Sequence, residues 1–170
     1  MTSGRMPEAM DTRGQHMSDT IIKIIPSAPD FRIPEEKRTA ITNFLDKHIA
    51  ADKIGFCIWD APGFVDCGGN LERIKCPVCG AELSFDWWGG EMDASHSKSH
   101  FRDLAVHTPC CGQEVSLNNL DYYFACGFSS IVLEILNPAG GPGTLPAQKE
   151  ILDETARMMG TDIRIIFAQY

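Results

Sequence analysis

The sequence predicts an α+β fold: a four-stranded sheet with two helices on one face, interrupted midway by a cysteine-rich segment. Three observations predict it. Four short runs are apolar with strand-like alternation, two before the middle of the chain and two after it. Between the members of each pair lies a stretch whose apolar residues recur at helical spacing. The middle breaks this pattern and sets paired cysteines beside proline and glycine.

The first run, TIIKIIP at 20–26, is β-rich and ends on proline, so it reads as a strand. A helix starts at Pro34, which suits a first helical position, with Glu35 and Glu36 at the positive end of its dipole. Ala40, Ile41, Phe44, Leu45 and Ile49 give it one apolar face. KIGFCIWD at 53–60 is the second strand, with Ile54, Phe56 and Ile58 on one side and Gly55, Cys57 and Trp59 on the other. SSIVLEILNP at 129–138 is the third, with Ile131, Leu133 and Ile135 aligned. After the turn-rich PAGGPGT, residues 144–159 read as a helix. Thr144 or Leu145 caps it, Pro146 sits near its start, Ile151, Leu152, Ala156 and Met159 form its stripe, and Gly160 ends it. IRIIFAQY at 163–170 is the last strand.

Two β-α-β units in this order predict a ferredoxin-like β-α-β-β-α-β sandwich built from residues 20–60 and 128–170. Residues 61–127 would be an insertion between strands two and three. Within it, FVDC, ERIKC and AELSFDW read as short strands, WGGEMDASHSKSHFRDL as a short polar helix, and LAVHT and QEVSL as strands around PCCG. Residues 1–19 read as a polar, disordered tail. It lacks the apolar core of a secretory signal, and Met17 is an alternative start.

Composition narrows the function. The chain has 170 residues, 44% hydrophobic, with a formal net charge of −8. That charge disfavours nucleic acid and anionic membranes as partners, and the middle segment alone carries nine Asp and Glu against four Lys and Arg. No apolar run approaches the roughly 20 residues that a membrane-spanning helix needs. Seven cysteines without an export signal point to a reducing cytoplasm and to metal rather than to disulfides.

The strongest local signal is CPVCG at 76–80. Two thiolates two residues apart in a tight turn can grip one tetrahedral ion. Proline directly after the first cysteine, and no helix following the motif, disfavour a redox pair. TPCCG at 108–112 aligns with it: Pro109 with Pro77, Cys111 with Cys79, Gly112 with Gly80. Thr108 stands where the first cysteine should be, and Cys110 stands in the place of Val78. The expected ligands are therefore Cys76, Cys79, Cys110 and Cys111, with His107, His96, His100 and Cys126 as competitors for the fourth position. Thiolate donors select Zn²⁺ over Mg²⁺ or Ca²⁺, with iron as the other ion suited to four sulfurs.

Residues 74–117 resemble the zinc-ribbon class, in which two such knuckles clamp one Zn²⁺. The resemblance implies a closed, structural site. More widely, the chain from Ile21 onward resembles bacterial proteins that carry FVDCG, CPxCG, a Trp-Trp pair and TPCCG in this order. That resemblance implies no activity.

Other residues give weaker signals. Of the pair in FDWWGGEMD, Trp88 is the candidate interface anchor; the competing reading packs Trp87 on the ribbon and Trp88 over the sheet. His96 and His100, four apart, share a helix face. Asn118, Asn119, Asp121, Tyr122 and Tyr123 can line a pocket or make turns. Cys57, Cys67 and Cys126 read as small buried hydrophobes. No phosphate-binding glycine motif or nucleophile elbow is present, and GGPG at 140–143 is a connector. The expectation is a cytoplasmic bacterial protein with structural Zn²⁺ that binds another protein in a regulatory, immunity-like role. The alternative is a hydrolase-like enzyme using Asp86, His96, His100, Asp121 and Tyr122 in a pocket between ribbon and sheet.

Overall fold

The computed structural model describes residues 18–141, 143 and 148–170. The expected tail through Met17, and the expected helix start at Thr144, Leu145 and Pro146, lie outside the described residues. The fold is mixed α+β, with three helices and antiparallel sheets.

The elements in order are β1 (Thr20–Pro26), α1 (Glu35–His48), β2 (Lys53–Val65), β3 (Arg73–Lys75), β4 (Glu82–Leu83), α2 (Phe85–Ser99), β5 (Ala105–His107), β6 (Glu114–Ser116), a 3₁₀ turn (Leu117–Asn119), β7 (Asp121–Tyr123), β8 (Gly127–Leu136), α3 (Lys149–Met159) and β9 (Ile163–Gln169). The main sheet has the order β2-β8-β1-β9, with every neighbouring pair antiparallel. Two small sheets, β4-β3-β7 and β5-β6, belong to the middle of the chain.

Strand alternation divides the apolar residues between two cores. Ile22 and Ile24 of β1, Ile131, Leu133 and Ile135 of β8, and Ile41, Leu45 and Met159 of the helices form one. Ile25, Val132 and Ile166 point the other way and join Ile74, Leu83, Leu104, Leu117 and Phe128 in the second. Helices α1 and α3 thus cover one face of the sheet, and the middle segment covers the other. Each large apolar side chain removed from water in these cores contributes about 1.5–3 kcal/mol.

Several elements depart from the sequence reading. Of the expected apolar face of α1, Ile41 and Leu45 are buried, but Ala40 faces solvent. In α3 the fully buried polar residue is Thr155, its hydroxyl satisfied by the Ile151 carbonyl at 2.7 Å. Strand β2 runs past Asp60 to Val65. The expected separate strand at FVDC is instead its continuation past a bulge: register with β8 slips between Ile58 and Gly63, then resumes to Val65 opposite Gly127. Arg32 donates to the Trp59 and Asp60 carbonyls there, both at 2.8 Å. The largest departure is α2. Phe85 to Trp87 read as the end of a strand, with a short helix starting only at Trp88. Instead, Ser84 caps a helix there, accepting from the Trp87 amide at 3.2 Å, with Asp86 in the first turn.

The middle segment is tied back to the sheet at its neck. Lys23, on the sheet face that the segment covers, is buried, and its ammonium reaches the Asp66 carbonyl at 3.0 Å and the Tyr170 hydroxyl at 2.6 Å. Tyr170 donates to Asp66 Oδ1 at 2.6 Å, and so does the Gly68 amide at 2.7 Å. Gly68 has φ +64° and pairs with Gln169, where an added Cβ would lie 2.2 Å from the Gln169 carbonyl oxygen. Only glycine fits both the conformation and the space.

Gly68→Ala should destabilise the protein by about 2 kcal/mol or more. Urea unfolding should show a lower midpoint with an unchanged slope. Burial alone would raise the Asp66 pKa, but the bonds from Tyr170 and Gly68 and the Lys23 charge outweigh it and hold the carboxyl below its ordinary value. Its contribution to stability is therefore present above the ordinary value of 3.8 and lost as pH falls through the lowered one. Acid unfolding of Asp66→Asn should accordingly show a shallower loss of stability below about pH 4 than the parent.

Candidate metal centre

Two matched turns build this centre. In the first, the Cys76 amide donates to the Ala81 carbonyl at 2.8 Å and the Gly80 amide to the Cys76 carbonyl at 3.0 Å. In the second, the Thr108 amide donates to the Gln113 carbonyl at 3.1 Å and the Gly112 amide to the Thr108 carbonyl at 2.9 Å. Gly80 and Gly112 have φ of +74° and +68°, the left-handed step that closes each turn. The two turns therefore superpose bond for bond, with Thr108 in the place of Cys76. The exposed Val78 marks where Cys110 sits in the second turn.

This bend lets adjacent cysteines face one point. Cys76 Sγ lies 3.8 Å from Cys111 Sγ, and Cys79 Sγ lies 3.3 Å from Cys110 Sγ. All four sulfurs lie within 4.8 Å of one another. Thiolates around a tetrahedral ion with bonds of about 2.3 Å would sit about 3.8 Å apart, so the donor set fits one metal ion without rearrangement of the backbone. Cys76 is buried in the second core, while Cys79 and Cys110 are exposed.

The electrostatics suit a cation. The amides of Cys79 and Val78 aim at the Cys76 sulfur and, against its desolvation, pull the thiol down to about 6. The Thr108 hydroxyl, 3.3 Å away, and the Gln113 amide lower Cys111. The Ala81 amide alone would lower Cys79, but the crowding sulfurs and burial outweigh it and push that thiol up to about 11. Four thiolates cannot crowd together uncompensated. A bound cation would remove that repulsion and release the remaining protons.

The competing ligands lie elsewhere. His107 is exposed, with Nε2 3.9 Å from Glu114. His96 and His100 line a cavity against the β2 bulge. Cys126 is buried 3.3 Å from Cys67, a contact between the two ends of the middle segment that no sequence spacing signals. Trp88 is half-buried rather than free: its indole donates to the Tyr122 hydroxyl at 3.1 Å and its ring packs on Phe64 and Tyr122. Tyr122 itself is buried and donates to the Leu117 carbonyl at 2.7 Å, and burial raises its pKa. Asp86 is exposed in the first turn of α2, and Asp121 lies on β7 opposite Lys75. The five residues expected in one enzymatic pocket are dispersed: His96 and His100 line one cavity, Asp121 and Tyr122 line another, and Asp86 lines neither.

A metal-loaded preparation should lose its ion in both Cys110→Ser and Cys111→Ser and keep it in His107→Ala, as read by elemental analysis after gel filtration. Retention in Cys110→Ser, or loss in His107→Ala, contradicts the four-sulfur set. Comparison with protein-family models, with curated proteins and with solved structures finds no match to this chain.

Proposed function

We propose that the four cysteines hold one structural Zn²⁺ in a zinc-ribbon-like segment inserted into a ferredoxin-like core. On this reading the chain is a protein-interaction or regulatory module of the bacterial cytoplasm, comparable in role to an immunity protein. The observation that carries the metal reading is the pair of superposable turns converging four sulfurs within 4.8 Å. Zinc is the ion that combines thiolate affinity with tetrahedral geometry and no redox chemistry. A closed four-sulfur site leaves no position for water or substrate, so the metal's work is folding, worth about 10 kcal/mol or more in small domains. The strand order β2-β8-β1-β9 supports the ferredoxin-like reading, since it places the first and third core strands at the centre with the second and fourth at the edges.

The interaction surface moves from Trp88, which is engaged internally, to β7. Tyr123 and Phe124 are 47% and 42% exposed, their rings 5.1 Å apart, and Arg73 stacks on Tyr123 at 4.8 Å. Aromatic and arginine side chains on a small-sheet edge are the composition of binding hot spots. No helix of the described residues is long and apolar enough to cross a membrane.

Purification from source cells, with neither metal nor chelator added, tests both parts. One zinc per chain is expected, with a co-purifying protein that is lost from a Tyr123→Ser/Phe124→Ser variant of unchanged zinc content. Iron in place of zinc overturns the metal identity. A partner retained equally by the variant overturns this surface, and the absence of any partner overturns the interaction reading.

A further inference from the structure

A cavity of about 540 Å³ lies where the bulged end of β2 meets the C-terminal end of α2. We propose that it is a binding site for a small planar aromatic carboxylate, a function separate from the metal centre.

Its walls are aromatic and fixed. Phe64 packs on Trp88 and Phe128 with centroids at 5.4 and 5.3 Å, and Phe101 packs on Phe128 at 5.2 Å. Trp59 forms the outer wall and is 46% exposed. These rings offer flat apolar surface to a flat ligand, and the volume lies in the range of small-molecule pockets.

Its polar groups are cationic or donor groups. The His96 and His100 rings meet nearly at right angles, centroids 5.4 Å apart, and Arg102 stands beside them. Arg102 spends one of its five N–H groups on a long bond to the Asp60 carbonyl at 3.5 Å, leaving its forked face for a carboxylate. Asp60 contributes the lining's one carboxylate against a guanidinium and two imidazoles. What singles out an anion is the guanidinium fork with two imidazoles, which can donate, beside it in a chain of net charge −8. Arg32, bound to the Trp59 and Asp60 carbonyls, holds the opposite rim in place.

The backbone shows that the side chains matter. His100 and Phe101 both have positive φ, +51° and +60°. The turn they make ends α2, with the His100 amide on the His96 carbonyl at 2.9 Å and the Phe101 amide on that of Ser95 at 3.4 Å. Glycine would serve those bonds with less strain. The chain instead carries an imidazole and a phenyl ring there, and both face the cavity. A metal is not the occupant: two imidazoles lack a third donor, and among the described residues only the four cysteines gather into a ligand cluster.

The test titrates metal-loaded full chain with 2-naphthoate, read by tryptophan fluorescence and by histidine ring NMR shifts. Saturable one-to-one binding is expected, about tenfold weaker for naphthalene-2-carboxamide and for Arg102→Gln. His100→Gly should bind about fivefold more weakly while its thermal midpoint stays level or rises, because glycine relieves the left-handed cap. No saturable binding, equal affinity for acid and amide, or unchanged affinity in both variants overturns the proposal. Tighter binding of 1-naphthyl phosphate than of the carboxylate overturns the ligand class.

Discussion

The constraint from which the architecture follows is that the central sheet is apolar on both faces. Strand alternation sends Ile22 and Ile24 to one side and Ile25 to the other, and β8 does the same with Leu133 and Val132. Two amphipathic helices suffice for one face. The other is left to the middle segment, whose strands are two or three residues long and cannot stand alone. Such a cover needs staples. The Lys23–Tyr170–Asp66 network and the close Gly68–Gln169 pairing hold its neck, and the two cysteine turns hold its far strands together.

Helix α2 connects the two chemically distinctive regions. It is capped by Ser84, five residues after Cys79, and ends at His100 beside the β2 bulge. Its 15 residues span about 22 Å. The entry of the helix is set next to the first cysteine turn, and its exit sets the wall of the cavity. One helix thus runs from the first cysteine turn to the wall of the cavity.

Much of this was readable from the sequence because it rests on short-range rules. The four core strands, and the two helices that connect them in pairs, follow from alternation and from helical spacing. The two cysteine turns follow from a repeat whose positions match even where Thr108 replaces a cysteine. What failed to show depends on contacts distant in sequence or on rules in conflict. Pro62 and Gly63 carry ordinary strand-ending chemistry, and only pairing with β8 turns them into a bulge. In FDWWGG the aromatics favour strand and the glycines disfavour helix, yet the Ser84 cap and burial of Trp87 and Trp88 against the second core prevail. Strand β7 hides in a run of turn formers and exists because Ile74 needs Tyr122 opposite it. The Cys67–Cys126 contact joins positions 59 apart, which no local pattern encodes.

The pairing of Gln169 with Gly68 also orders events in time. A ribosome delivers β9 after every other described element, yet β1, Lys23 and the neck at Asp66 and Gly68 all wait for residues 163–170 to find their partners. The two cysteine turns wait for nothing of the kind, since their contacts fall within residues 76–113. Local contacts form first. The sulfur cluster can thus assemble on a growing chain while the sheet beneath it is still incomplete, and a metal captured at that stage would shield the cysteines from mispairing until the last strand arrives.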